Sequence, residues 1–370
     1  MRCGKTLTVV FTLLLVFAFG SSEAKGPPPD QGGKGRESVD HTARQERPIQ
    51  LGVSGGSVVD IANGYCCSGT LGALVVDVSG TQYILTNTHV LAGDVVPGGN
   101  GVVAAVGDPV NQPGYVDVQC QSIPDDYVGS LSDWVELAPG GVSIVDAAIA
   151  EALPDMVDPD GRILEIGTLS SATAAAYLNQ PVKKSGRTSG LTRGKVVAID
   201  STVSVQYSDE CAGAGFVTTF VGQILVSPGK FIKPGDSGSL MVEDVKANPR
   251  AVGLLYAGSS RVAVGNPIHD VLSALGVSMV GVPGTATGTS GQTSPAGLAK
   301  ASAAKAKHAA RLEQVPGAVG HAVGLAAQGR PVPVIKVLVE TITPEAQAGV
   351  PAEVDGVPVE LMEVGQIVAY

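Results

Sequence analysis

The chain has 370 residues, 44% hydrophobic and only 16% charged, enough apolar material to bury a large core or two smaller ones. Its 24 basic and 34 acidic residues give a net charge of −10, and no basic stripe occurs, which excludes nucleic acid and anionic membrane surfaces as main partners. With 49 glycines and 24 prolines, and helix-length periodicity scarce before residue 297, an all-helical fold is excluded as well.

Arg2 and Lys5 precede the apolar run LTVVFTLLLVFAF, and Ser22-Glu23-Ala24 fits a small-x-small cleavage site. Residues 1–24 therefore read as a signal peptide, the run being too short to cross a hydrocarbon core of about 30 Å; an uncleaved anchor is the alternative. No later run is long and apolar enough for a membrane span, so the mature chain is expected to be secreted or extracytoplasmic. Residues 25–48 are polar and rich in Pro and Gly, the composition of a linker or pro-segment. From residue 49 to 280, β-branched runs alternate with turn residues: Leu74–Val78, Gln82–Leu85, Val142–Ile149, Lys195–Ile199, Phe220–Val226 and Ala251–Tyr256. That texture predicts an all-β barrel or sandwich domain. Residues 281–297 (GVPGTATGTSGQTSPAG) read as a flexible tether. Beyond it, 298–370 forms a small α+β domain: a helix over Leu298–Leu312, strands over Ala318–Leu325 and Val332–Glu340, a short helix near Pro344–Ala348, and strands near Val357–Val364. Cleavage after Ala24 removes Cys3 and leaves Cys66, Cys67, Cys120 and Cys211. In an oxidising compartment these allow up to two disulfides in three pairings, with the neighbours Cys66 and Cys67 disfavoured as partners. The CxxC and HxxxH spacings of metal sites do not occur, so neither metal nor cofactor is expected.

Three segments carry chemistry. YILTNTHVLA (83–92) is a strand running into a turn at His89; SIVDAAIAEA (143–152) is a strand holding Asp146 among small residues; IKPGDSGSLMV (232–242) places Ser237 in a Gly-rich turn before an apolar strand. A serine hydroxyl becomes nucleophilic when an imidazole takes its proton and a buried carboxylate holds that imidazole's tautomer. A turn free of Cβ atoms can also aim the N–H groups of Gly235 and Ser237 at a developing oxyanion. The other histidines, His41, His269, His308 and His321, read as structural. A lone carboxylate in an apolar strand is costly, so Asp146 needs a partner.

With these motifs in this order, residues 49–280 resemble the trypsin/chymotrypsin-like serine peptidases, and within them the secreted bacterial, streptogrisin-like type. CSGTLGALV (67–75), KKSGRTSGLTRGKV (183–196) and GNPIHDVLSALGV (265–277) add to the match. The resemblance implies a chymotrypsin-like double β-barrel, two perpendicular six-stranded barrels with the active site between them, His89 and Asp146 coming from the first and Ser237 from the second. It implies a serine endopeptidase that hydrolyses polypeptides through an acyl-enzyme. The sequence departs from the family at Lys183 and Arg193, where a cysteine pair usually flanks the hairpin, and at Val90 and Ser239. No Arg-Ile-Val-Gly-Gly activation site precedes the domain. In bacterial relatives an Arg of the hairpin stands in for the new N-terminus, so Arg187 is expected to pair with Asp236 and order the oxyanion turn. By alignment on Ser237, the substrate pocket has its floor near Phe231–Ile232 and a wall at Tyr256-Ala257-Gly258. Lacking an acidic residue there, it should favour apolar or small side chains over basic ones.

Gly52-Val53-Ser54-Gly55-Gly56 matches the GxSxG nucleophile elbow of α/β-hydrolases, but strand material follows Ser54 where that fold needs a helix. An alternative function is a non-catalytic or autoinhibited barrel scaffold with a C-terminal binding module. Residues 298–370 would then be a substrate- or wall-binding module, or a cap in intramolecular contact with the peptidase domain. Self-processing of a linker is a third variant.

Overall fold

The computed structural model describes residues 39–59, 61–62, 65–92, 104–121, 123–209, 214–284, 295–328 and 331–370. The expected signal peptide, most of the 25–48 linker, the centre of the 281–297 tether and Cys211 lie outside them. Among the described residues no helix is long and apolar enough to cross a membrane.

The first half of the chain builds a barrel from β1 (Val53–Ser57), β2 (Gly69–Leu71), β3 (Ala73–Val76), β4 (Gln82–Thr86), β5 (Pro109–Asn111), β6 (Tyr127–Trp134) and β7 (Ala148–Ala152). All pairings run antiparallel in the circuit β2-β1-β5-β6-β7-β4-β3. β2 and β3 are one stretch of chain bent at Gly72, whose N–H still reaches Leu85 at 2.9 Å, so the sheet closes on itself. On these strands Leu74, Ile84, Leu85, Val110, Val128, Leu131 and Ile149 are buried, each stabilising the fold by about 1.5–3 kcal/mol. Val142–Ile149 was expected to be one strand, but pairing breaks between Ser143 and Ala148, leaving Asp146 in the gap.

The second barrel contains β8 (Pro181–Lys184), β9 (Thr192–Tyr207), β10 (Phe216–Ser227), β11 (Leu240–Glu243), β12 (Ala251–Gly258) and β13 (Ala263–Pro267). Its circuit is β9-β8-β11-β12-β13-β10 and back to β9. The fold is thus a chymotrypsin-like double β-barrel. The two share apolar packing: Leu240, Val242, Leu254 and the following helix (Ile268–Leu275) join the first barrel's core cluster.

At its outer edge β9 also pairs with β14 (Ala318–Leu325), which leads to β15 (Pro333–Val339) and β16 (Val357–Glu363). These strands are covered by the helix Pro295–Lys307, and Ala301, Ala304 and Leu312 pack with Val323, Ile335 and Val337 in a core of their own. Cys66 and Cys120 form a disulfide, with Cα atoms 5.7 Å apart; Cys67 is disulfide-bonded too.

Candidate active site

β4 ends at Thr86, the chain stays extended through Asn87, and a single helical turn, Thr88–Leu91, carries His89. Both neighbours of His89 are pinned to the Asp146 segment. Asn87 Nδ2 donates to the Asp146 carbonyl at 2.6 Å, and Thr88 Oγ1 donates to the carbonyls of Val135 and Ala147 at 2.8 and 3.0 Å. Asn266 contributes from the second barrel: the Asp146 N–H donates to its Oδ1 at 3.2 Å, and its Nδ2 returns a bond to the Asp146 carbonyl. Asp146 therefore leaves the strand ladder because side-chain amides hold its main chain instead, which frees its carboxylate to turn inward.

That carboxylate is fully buried and well satisfied. Oδ2 lies 2.5 Å from His89 Nδ1 and accepts from the Tyr207 hydroxyl at 2.8 Å; Oδ1 accepts from the His89 N–H at 3.3 Å. Burial, and then the charge of Asp146, hold the Tyr207 phenol well above its ordinary pKa, so Tyr207 stays protonated and donates. Its ring stacks on Phe216 at 4.7 Å and stands edge-on to His89 at 5.7 Å.

Ser237 sits in the turn between Ile232 and β11, fully buried, and its Oγ donates to the Tyr256 carbonyl at 3.0 Å. β2 braces this turn from the first barrel. Thr70 N–H donates to the Ser237 carbonyl at 2.7 Å, and Thr70 Oγ1 to the Gly235 carbonyl at 3.0 Å. Gly235 and Gly238 have φ of +92° and +89°, a conformation that L side chains resist. A Cβ at residue 238 would also stand 2.1 Å from both the Thr70 carbonyl and Thr86 Oγ1. The N–H groups of Asp236, Gly238 and Ser239 donate to Lys233, Leu255 and Asp236. Those of Gly235 and Ser237 have no acceptor among the described residues.

The expected Arg187–Asp236 pair does not form. Arg187 instead grips Asp117 of the first barrel with two nitrogens, Nε at 2.7 Å and Nη2 at 2.5 Å. Asp236, fully buried, faces Lys184 Nζ at 3.0 Å and accepts from the N–H groups of Thr188, Ser189 and Lys233 and from the Ser189 hydroxyl. The reason is positional. Lys184 ends β8 with its side chain turned into the interior, whereas Arg187, on the hairpin tip, reaches across to Tyr115–Val118. Burial pulls the Lys184 ammonium below its ordinary pKa against the attraction of Asp236.

Of the expected pocket residues, Phe231 and Ile232 belong to a core cluster of the second barrel, and the ring of Tyr370 packs against that cluster. Tyr256 is buried with its ring on Phe220 at 4.7 Å; its main chain, not its hydroxyl, meets Ser237. A Cβ at Gly258 would stand 2.9 Å from Ile232 Cγ2 and 3.1 Å from Tyr370 Cε2. A cleft of about 450 Å³ is lined by His89, Tyr207, Gly235 and Tyr370 among others, and by none of Phe231, Ile232, Tyr256 and Gly258. Ser54 lies within strand β1 and donates to Asp117, a structural position and not an elbow. His41 bridges the Gly52 carbonyl and Glu165, and His269 bonds Thr173. Sequence reasoning missed Tyr207 and Tyr370, which sit outside every motif, and gave no role to Lys184, which lies within KKSGRTSGLTRGKV. Asn87 and Asn266, inside two quoted motifs, were visible but given no role.

Among known families, the Nal1 C-terminal domain matches residues 150–266. Streptogrisin-A of Streptomyces griseus is 31% identical over 129 residues, 33% of this chain and 38% of that protein. Serine protease 2 of Streptomyces fradiae is 32% identical over 109 residues, 29% of this chain and 54% of that one. The chain thus spans roughly a third to a half of the curated relatives it matches. Solved structures with likeness include a glutamic acid specific serine protease (20% identity, TM-score 0.42, covering 62% of this chain and all 100% of that one). Nocardiopsis protease is another (18%, TM-score 0.41, 62% and 98%). In sequence, the chain's likeness is to streptogrisin-like serine peptidases of the trypsin/chymotrypsin type, at low identity.

Proposed function

We propose that this protein is a serine endopeptidase. One observation carries the reading: a fully buried carboxylate, Asp146, is bonded to the imidazole of His89, which lines a cleft together with Gly235 of the turn that holds Ser237. Ser237 Oγ attacks the carbonyl carbon of a bound polypeptide while His89 Nε2 takes its proton. Asp146 stabilises the imidazolium, and the N–H groups of Gly235 and Ser237 hold the oxyanion, each worth about 3–4 kcal/mol in such sites. Collapse breaks the C–N bond, His89 returns the proton to the departing amine, and water then repeats the cycle on the ester.

Residues 49–280 would form the peptidase domain and 298–370 an appended α+β unit. Export after removal of 1–24 is supported by the Cys66–Cys120 disulfide, a bond that persists in oxidising compartments. With no acidic side chain among Phe231, Ile232, Tyr256 and Gly258, the residues expected at the substrate pocket, an apolar residue should precede the cleaved bond.

The test is Ser237→Ala, which should lower kcat by about 10⁶-fold if the three side chains act as a unit, together with a fluorophosphonate probe. Labelling at Ser237 is expected; labelling at Ser54 instead, or an unchanged kcat in Ser237→Ala, overturns the reading. Activity should also fall as pH drops through the imidazole range, about 6.5 for an unperturbed ring.

A further inference from the structure

Residues 368–370 form one wall of the cleft. After β16 the segment 364–370 turns back across the mouth of the second barrel. Val364 and Ile367 are buried in the core cluster that holds Tyr256 and Ala257, and the Ser259 hydroxyl donates to the Val364 carbonyl. The Gln206 N–H donates to the Ile367 carbonyl at 3.1 Å. Val368 and Ala369 then form a short strand, β17, between two edges: Gln206 of β9 lies beside Val368 in parallel, and Gly258 and Ala257 of β12 face Val368 and Ala369 antiparallel. Tyr370 completes the series, its N–H donating to the Tyr256 carbonyl at 3.2 Å.

The Tyr256 carbonyl is also the acceptor of Ser237 Oγ, so two hydrogen bonds separate the main chain of Tyr370 from the hydroxyl that would attack. The main-chain oxygen of Tyr370 lies 3.1 Å from His89 Nε2, the nitrogen that must take the Ser237 proton. Its ring packs beside Gly258 and Ile232. Two elements of strand-addition recognition are present: main-chain pairing along an edge, and one side chain, Tyr370, packed beside the groups that would react.

We propose that residues 367–370 are an intramolecular pseudosubstrate. They enter the cleft as a substrate would, with Tyr370 in the specificity pocket, and restrain the enzyme until displaced. The substrates are then polypeptides with an aromatic residue, tyrosine foremost, on the acyl side of the cleaved bond. This rests on the serine peptidase reading. A segment tethered to its own site acts at an effective concentration of the order of millimolar, so a modest intrinsic affinity holds the cleft closed.

The experiment compares fluorophosphonate labelling rates at Ser237 in the full chain and in Tyr370→Gly, Val368→Pro and Tyr370→Phe. Emptying the pocket or breaking β17 should speed labelling about 30-fold, the scale set by burying an aromatic ring. Tyr370→Phe, which keeps the ring, should stay near the wild-type rate, and a synthetic Ile-Val-Ala-Tyr peptide should slow the Tyr370→Gly variant again. Equal rates in all four proteins overturn the proposal. Absence of labelling in every one fails the peptidase reading instead, and the proposal with it. Peptide-library cleavage by Tyr370→Gly should enrich Tyr, Phe and Trp before the cut; enrichment of acidic or small residues there overturns the substrate class.

Discussion

The buried carboxylate of Asp146 is held by two residues, His89 and Tyr207, with distinct sequence histories. His89 was legible because its motif, strand then turn, is one in which an imidazole does chemistry. Tyr207 was not: it ends a sixteen-residue strand, β9, with nothing around it to distinguish a catalytic neighbour from a core aromatic. Tyr207→Phe keeps the stacking on Phe216 and deletes the hydroxyl. Losing a hydrogen bond to a charged group costs about 1.5–3 kcal/mol, so the melting temperature should fall by a few degrees, and kcat/KM should fall about 10- to 100-fold if the bond also positions His89 through Asp146. A positioning role further requires that the acid limb of the pH–rate profile shift; a purely structural role would leave it in place. Lys184 was hidden for a related reason, since its burial depends on how the following hairpin folds over it. Lys184→Met strands Asp236 with backbone and hydroxyl donors only and should destabilise the protein by about 3 kcal/mol in urea titration.

At the level of elements, the C-terminal strands were read best. Ala318–Leu325 forms over the expected residues, and Val332–Glu340 is shorter by one residue at each end, because runs of small and β-branched residues leave little choice of structure. The helix over Leu298–Leu312 is broken at His308, with Ala309–Leu312 as a separate turn. Where a strand was mistaken, at Val142–Ile149, side-chain amides from two remote segments override propensity, and a single sequence does not announce such pairings. His321 gives this region a pH dependence. It is buried on β14, and burial, then Lys305, lower its pKa. A histidine whose folded pKa is depressed stabilises the fold fully above its unfolded value, about 6.5, and loses that contribution as pH falls below it. The melting temperature should therefore drop between pH 7.5 and 5.5, and His321→Gln should flatten that slope.

Over the whole molecule, strand spacing left barrel and sandwich open and the family resemblance implied two barrels; both closures are observed. The bend that closes the first was not legible, because Gly72 looks like any glycine between two strands. A Cβ there would stand 1.9 Å from the Gly238 carbonyl, in direct conflict with the turn of Ser237. Gly72→Ala should lower kcat by at least about 100-fold, since misplacement of a reacting group by an ångström has that effect, and should lower the melting temperature as well. Far more than one residue depends on this contact. The Ser237 turn hangs from β2 by the bonds of Thr70, so the halves cannot drift apart without displacing Ser237. In a calorimeter the protein should give a single endotherm whose onset coincides with the first loss of turnover, with no warm, inactive intermediate beneath it.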